Sequence, residues 1–569
     1  MLKGTPVCEG IGIGKIMIVE KQSLKYTPSS VTDTDAELKR FKAATEKFYR
    51  NKLKQIAALK RSAGEKESKI LESHIQMIKD PCMSNEIETL IKKGLRAEAA
   101  VEKVCNMFIE IFSAAKDKII RQRVEDVRDI GSEMLSILLG VDKVGISNVT
   151  ENTVLVAKEL TPSMIAQIGE QKIVGIVTES GGKTSHSAIL TRALGIPTVL
   201  CVEHAEKLLK PGTTAIVDGT NGIVVSAPNS AMLKDYINKQ AEFNNQRIQL
   251  EKFRGRVTVS ADGTQYKLLC NIGNPDDAQK VLECDGEGVG LFRTEFLFME
   301  SKELPTEEEQ FEAYKRAAII LKGKPLTIRT LDIGGDKKIS YLKIPSEENP
   351  FMGFRAVRYC LKYKDIFKSQ IRAILRASTF GDIRIMFPFI TCVEELRECK
   401  AVVEEAKSEL TQENISFDKN IKIGIMIETT SAALIADLLA KESDFFSIGT
   451  NDLTGYTMAC DRNNGNVSYL YSALQPSVLR LIKNIIESGK NNGIPVGMCG
   501  VAVANPLMIP MLISFGLDEF SVFPSTVLKV RKEISSWSKS KADKIAQKVM
   551  SLATEAEIRN YLNCELSNI

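Results

Sequence analysis

A histidine at the mouth of a helix is well placed to carry a phosphoryl group, and His186 stands at one, in Gly181-Gly182-Lys183-Thr184-Ser185-His186-Ser187-Ala188. The two glycines permit a tight turn after the apolar run 173–177. Thr184 or Ser185 can cap a helix, and Ser187 to Leu194 has a helical pattern that stops at Gly195-Ile196-Pro197. Free amide hydrogens gather at such a helix start. Together with the positive end of the dipole they favour a bound or covalently attached phosphate. The imidazole could therefore accept a phosphoryl group, although a histidine filling a polar niche beside a cap would present the same residues.

A second set of candidates follows short apolar runs in the C-terminal half: Arg293, Arg329, Glu428, Asn451, Asp452, Cys499 and Ser521, with Arg355 and Arg462 close by. Several arginines at one rim suit a phosphate or carboxylate ligand, whereas any one alone is more often a solvated surface residue. Glu428 and Asp452 could hold Mg²⁺ through one or two carboxylates while a substrate's oxygens and water complete its octahedron, or they could simply pair with the arginines. Cys499, in Gly497-Met498-Cys499-Gly500, lies between glycines that permit close approach of backbone and ligand. Its thiol could act as a general acid, or be a buried structural cysteine.

The runs that must position these groups define the fold. Apolar stretches at 11–19, 154–157, 173–177, 198–202, 215–217 and 222–225 read as strands of one α/β domain (1–31 and 141–228). Between them, 32–140 is rich in Lys, Glu, Ala and Leu with apolar residues at helical spacing, an inserted helical domain with breaks at Asp80-Pro81 and Lys93-Gly94. A polar helical linker, 229–255, comes next. From 256 to 569 the texture becomes alternating, with strand-like runs at 268–272, 289–292, 326–331, 383–387, 423–427, 445–448, 495–498 and 520–522 separated by helical patterns. That is the pattern of a (β/α)₈ barrel, whose chemistry sits at the carboxyl ends of its strands; an open doubly wound sheet is the alternative. The fold class expected is thus multidomain α/β.

Composition narrows the function. The 569 residues exceed what one core holds and suggest roughly three to five units. Lys plus Arg number 76 against 72 Asp plus Glu, so there is no basic surplus of the kind nucleic acid demands. No apolar run approaches a membrane span, and the opening residues do not resemble a signal peptide, so a cytoplasmic protein is expected. The 12 cysteines form no CxxC or Cys/His cluster, which argues against a zinc site or a disulfide framework and makes most of them small buried hydrophobes.

Gly181 to Thr198 closely resembles the phosphohistidine motif of the phosphoenolpyruvate-utilising enzymes. The segments Pro305-Thr306-Glu307-Glu308-Glu309-Gln310-Phe311, Thr330-Leu331-Asp332-Ile333-Gly334-Gly335-Asp336-Lys337, Ser447-Ile448-Gly449-Thr450-Asn451-Asp452-Leu453-Thr454 and Gly516-Leu517-Asp518-Glu519-Phe520-Ser521 resemble the Enzyme I family of the bacterial phosphotransferase system, collinearly from about Gly10 to Ile534. The resemblance implies a swivelling domain that carries His186 to the barrel. There Arg293, Arg329, Arg462, Asn451 and Asp452 would bind phosphoenolpyruvate, Glu428 and Asp452 would hold Mg²⁺, and Cys499 would protonate the departing enolate to give pyruvate. It also implies transfer to the small carrier HPr docked on the helical insert, near His74, and a homodimer formed through the barrel. His204 has no motif around it. The sequence departs from the family at Lys183, Gly455, Val501 and Val522-Phe523-Pro524, the last two implying an altered rim and tuned turnover. The alternatives are a nitrogen-regulatory paralogue, a regulatory relative with weakened catalysis, or a pyruvate phosphate dikinase, for whose nucleotide-binding domain the chain has no room.

Overall fold

The computed structural model describes residues 1–19, 26, 30–62, 65–114, 118–141, 149, 152–168, 172–181, 186–301, 303–335, 339, 341–342 and 344–567. It divides into two compact units, Met1–Arg247 and Ile248–Ile569. The helix Ser230–Glu251, predicted from its unbroken polar pattern, spans the division.

In the first unit, β1 (Leu2–Lys3), β2 (Thr5–Cys8), β3 (Ile11–Val19), β4 (Thr153–Ala157), β5 (Ile173–Thr178), β6 (Thr198–Leu200), β7 (Thr214–Asp218) and β8 (Ile223–Ser226) form one sheet in the order β1-β8-β7-β3-β4-β5-β6-β2. The centre, β3 to β6, is parallel, and antiparallel strands finish both edges. Every residue of β4 is buried, as its Thr-Val-Leu-Val-Ala sequence demands of a strand covered on both faces. Close packing needs glycine at Gly12, where a Cβ would stand 1.9 Å from the carbonyl oxygen of Val174.

Among the described residues, five helices, Thr34–Ser62, Glu65–Lys79, Pro81–Lys92, Ala97–Ala114 and Lys118–Leu139, form the insert. Asp80 caps the third by accepting from the amide of Cys82 at 2.7 Å, with Pro81 in the first turn, and Gly94 at φ +90° comes just after its end. Beneath their apolar stripes lies a polar knot. Lys52 is fully buried, its Nζ 2.9 Å from Glu133, 3.8 Å from Asp129 and 2.5 Å from Ser163 Oγ in the helix Pro162–Ile168. His74 is not the surface residue expected of a docking helix: it is fully buried, with Nε2 3.2 Å from Asp126. Lys52→Met keeps the volume but strips Glu133 and Asp129 of the ammonium that offsets their burial. We expect a stability loss of about 3–5 kcal/mol, read as a lower urea midpoint of the transition that reports this unit.

The second unit contains β9 (Lys267–Ile272), β10 (Val289–Arg293), β11 (Leu326–Arg329), β12 (Ile383–Phe387), β13 (Lys422–Ile427), β14 (Phe446–Ile448), β15 (Val496–Met498) and β16 (Glu519–Val522). They close into a parallel barrel in sequence order, β16 pairing with β9. Inside, Leu291, Met386, Met426, Phe445 and Cys499 pack together. No helix among the described residues is long and apolar enough to cross a membrane. All 12 cysteines are free thiols, but only Cys105, Cys270, Cys360, Cys399, Cys460 and Cys499 are buried, fewer than expected.

Candidate active site

The barrel delivers its polar side chains at the carboxyl ends of the strands, as the fold requires. Arg293 and Arg329 are the last residues of β10 and β11. Glu428 and Cys499 each come directly after a strand, β13 and β15. Asn451 and Asp452 lie in the first turn of the helix Thr450–Met458 that leaves β14, and Ser521 lies within β16.

Four of these strand ends meet in a buried charge network. Arg329, 6% exposed, donates from Nη2 to Glu295 at 2.6 Å and pairs through Nη1 with Asp332 at 3.0 Å. Asp332 in turn accepts from Arg355 Nη2 at 2.9 Å, and the same nitrogen reaches Asp452 at 3.0 Å. Arg355 is held further by the Tyr456 hydroxyl at 3.1 Å and by the face of Phe389, 4.5 Å from its guanidinium. Its neighbour Ala356 has φ +50° and ψ −127°, and Phe389 has φ +59°. Backbone strain of about 1–3 kcal/mol at each such residue persists only where surrounding contacts enforce it. At Phe389 the enforced turn aims its amide at Glu428 Oε1, 2.8 Å away.

Electrostatics make this network unusual. Burial opposes the charge of Arg329 and Arg355, but Asp332 with Glu295 or Asp452, and Glu428 beyond, outweigh it and hold both guanidinium groups charged. Glu428 is on the losing side. Burial, then the charges of Asp452 and Asp332, push its pKa well above the carboxylate range despite the two arginines. Among the described residues, the four carboxylates of Glu295, Asp332, Glu428 and Asp452 thus act on the guanidinium groups of Arg329 and Arg355. A divalent cation on Glu428 and Asp452 would balance that surplus, so the residues present fit one. No group of three or more His, Cys, Asp or Glu among the described residues could hold a metal by itself. Oxygens of a substrate would have to complete the shell.

Asp452 is also the hinge to a second compartment. Asn451, Asp452 and Arg462 line a cavity of about 370 Å³ with Phe351, Tyr456 and Tyr471. Tyr471 fixes one wall by donating to the carbonyl of Asn451 at 2.9 Å. On the barrel side Cys499 is buried, within reach of the charges of Arg329, Glu428 and Arg293. Burial raises its pKa, so the thiol keeps its proton at neutral pH. Val501 and Phe523, by contrast, are 64% and 47% exposed.

The other candidate belongs to the first unit. His186 opens the helix His186–Ala193, which comes after Gly181 at φ +128°. Its side chain, with Lys183 and the expected caps Thr184 and Ser185, lies outside the described residues. His204 is exposed, in a left-handed conformation, and caps nothing with its side chain.

Sequence reasoning missed Asp332 and Glu295 as partners of Arg329, and grouped Arg355 with the rim arginines without finding its partners Asp332 and Asp452. The only signal was their spacing, Asp332 three residues after Arg329 and Glu295 two after Arg293.

Three PEP-utilising enzyme domains match the chain in order: the N-terminal domain over 3–123, the mobile domain over 149–222 and the PEP-binding domain over 247–539. The chain belongs to the PEP-utilising enzyme family. Members named phosphoenolpyruvate-protein phosphotransferase resemble it along nearly their whole length. That of Priestia megaterium is 41% identical over 563 residues, covering 99% of this chain and 98% of the relative. That of Bacillus subtilis (strain 168) is 41% identical over 565 residues, covering 98% of each. The family's PEP-binding domain spans every strand of the barrel, and its mobile domain contains His186.

Proposed function

We infer that the chain is itself a phosphoenolpyruvate-protein phosphotransferase. It takes the phosphoryl group of phosphoenolpyruvate onto His186, releases pyruvate, and passes the group to a histidine of the carrier HPr, the first step of sugar uptake by the phosphotransferase system. The observation that carries this reading is the buried network of Arg329, Asp332, Arg355, Glu428 and Asp452 at one barrel rim, with a protonated thiol beside it.

Arg293, Arg329, Arg462, Asn451 and Asp452 bind the phosphate and carboxylate of the substrate and hold phosphorus in line with the incoming imidazole nitrogen. The arginines stabilise charge as it builds on the phosphoryl group and the departing enolate. Glu428 and Asp452 would hold Mg²⁺, which when bound supplies further neutralisation of the same oxygens. Cys499 gives its proton to C3 of the enolate. His186 must meet the rim and then the carrier, which requires large rotations of the domain that bears it. The helical insert serves as the carrier's docking surface, the barrel as the face of a homodimer, and the cytoplasm as its compartment.

Incubation with Mg²⁺ and phosphoenolpyruvate labelled on phosphorus tests the reading. An acid-labile, alkali-stable label that HPr removes without nucleotide supports it; no label at all sinks it, and a requirement for ATP would move the chain to the dikinases. Cys499→Ala separates the two halves of the chemistry. Labelling of the protein in a single turnover is expected to persist, while pyruvate formation falls about 10²–10⁴-fold. In the unaltered protein that step should hold its rate into alkaline solution, because the thiol's raised pKa delays loss of the acid form.

A further inference from the structure

A thiol serves as an acid only if it faces the carbon it protonates, and Cys499 stands where the barrel's ladder gives out. β15 pairs with β16 as far as Met498 opposite Phe520, one residue earlier. The amide of Cys499 still donates to the carbonyl of Ile448 at 3.2 Å. Its carbonyl accepts from a side chain instead, Nδ2 of Asn271 at 2.9 Å, reaching from β9. The other end of that amide is engaged too, because Oδ1 of Asn271 accepts from Ser521 Oγ on β16 at 2.7 Å. Asn271, Ser521 and Cys499 are 7%, 3% and 3% exposed. An amide bonded at both ends cannot flip without losing both bonds, so its orientation is fixed. A buried carboxamide is costly where the neighbouring inner positions hold Leu291, Met386, Met426 and Phe445, and satisfying it so completely calls for a reason.

We propose that Asn271, locked by Ser521, is a positioning residue for proton transfer from Cys499. This rests on the reading of Cys499 as the acid. Gly500 lets the peptide after Cys499 pack close against Thr450, where a Cβ would stand 1.7 Å from Oγ1, but it supplies no side chain to orient that peptide. Asn271 orients it by holding the carbonyl. With the preceding amide bound to Ile448, both peptides that flank the Cα of Cys499 are fixed and the Cα–Cβ bond has one direction, and Sγ at its end is held 3.8 Å from the carbonyl oxygen of Ile448. In the step itself the S–H bond breaks and its proton goes to C3. The π pair of C2=C3 forms the new C3–H bond, the enolate oxygen's electron pair becomes the second bond of the C2=O of pyruvate, and the remaining thiolate regains a proton from water. A fixed thiol delivers to one face of C3; a loose one delivers slowly and to either face.

The test uses the full chain, Mg²⁺, HPr and phosphoenolpyruvate carrying deuterium at one of its two C3 positions, turned over in tritiated water. The handedness of the pyruvate methyl group reports the face, and the solvent isotope effect reports the proton step. The unaltered protein should give one hand. Asn271→Ala should slow pyruvate formation by about 10²-fold, scramble the methyl group and enlarge the isotope effect. Ser521→Ala, which keeps the amide but frees it to turn, should do the same more mildly, by about tenfold, and it carries the comparison if Asn271→Ala does not fold. A handed methyl group with an unchanged isotope effect in whichever variant folds overturns the proposal, however slow that variant is. A handed methyl group from Cys499→Ala overturns the assignment of the acid itself, independently of Asn271.

Discussion

Replacing His186 by alanine is expected to abolish phosphorylation of the chain by phosphoenolpyruvate, a loss of about four orders of magnitude or more, because no second nucleophile can take over. The chain has only three histidines. His74 is sealed among the helices of the insert, bonded to Asp126, and no substrate can reach it. His204 is exposed but makes no capping bond and precedes a helix of only four residues. His186 alone opens a longer helix, whose first-turn amides and dipole favour the negative charge that phosphorylation adds, by about 0.3–1 kcal/mol. Labelling His186→Ala, His204→Ala and the unaltered protein side by side checks this. His204→Ala should label and discharge to HPr at the normal rate. Label that survives in His186→Ala and disappears in His204→Ala would move the acceptor.

The sequence made the barrel legible because each strand is a short apolar run between helical patterns, and closure needs only eight of them in order. Ile383–Phe387 falls where its apolar run lies. The third strand ends at Arg329 rather than continuing through Leu331. Apolar residues carry on past the strand there, but Leu331 donates its amide to the side chain of Gln370 and leaves the ladder. Side-chain partnerships were harder to read. Arg355 meets Asp332 across 23 residues and Asp452 across 97, through loops without periodicity. His74 reads as a surface residue on a helix, because its partner Asp126 lies 52 residues away on another. Asn271 carries no pattern at all; one polar residue at the end of an apolar strand looks like the strand's stop. Residue types and strand ends were therefore visible, whereas the pairing that fixes charge balance and orientation had to come from the fold.

That charge balance leads to a test in which function and stability move in opposite directions. Glu428→Gln is expected to lower phosphorylation by about 10³-fold or more, because a neutral amide is a poor ligand for Mg²⁺ and contributes no charge to its site. The same substitution should stabilise the metal-free protein. Glu428 is 3% exposed and faces Asp452 and Asp332, so its charged form is repelled on two sides while burial denies it water. Glutamine removes the repulsion and keeps the shape. Its Oε1 can still accept from the amide of Phe389, and no larger group is pressed against Gly449, where a Cβ would already stand 2.8 Å from Glu428 Oε2. Arg329 and Arg355 retain Glu295, Asp332 and Asp452 as counter-charges. We expect a gain of about 1–2 kcal/mol without metal, seen as a higher unfolding temperature of the barrel in chelator. Added Mg²⁺ should raise that temperature in the unaltered protein and much less in Glu428→Gln, since only a ligand that binds the folded state shifts the transition. A variant that loses activity and stability together would mean that Glu428 is a structural partner of the arginines, and the surplus of carboxylates at the rim would need another account.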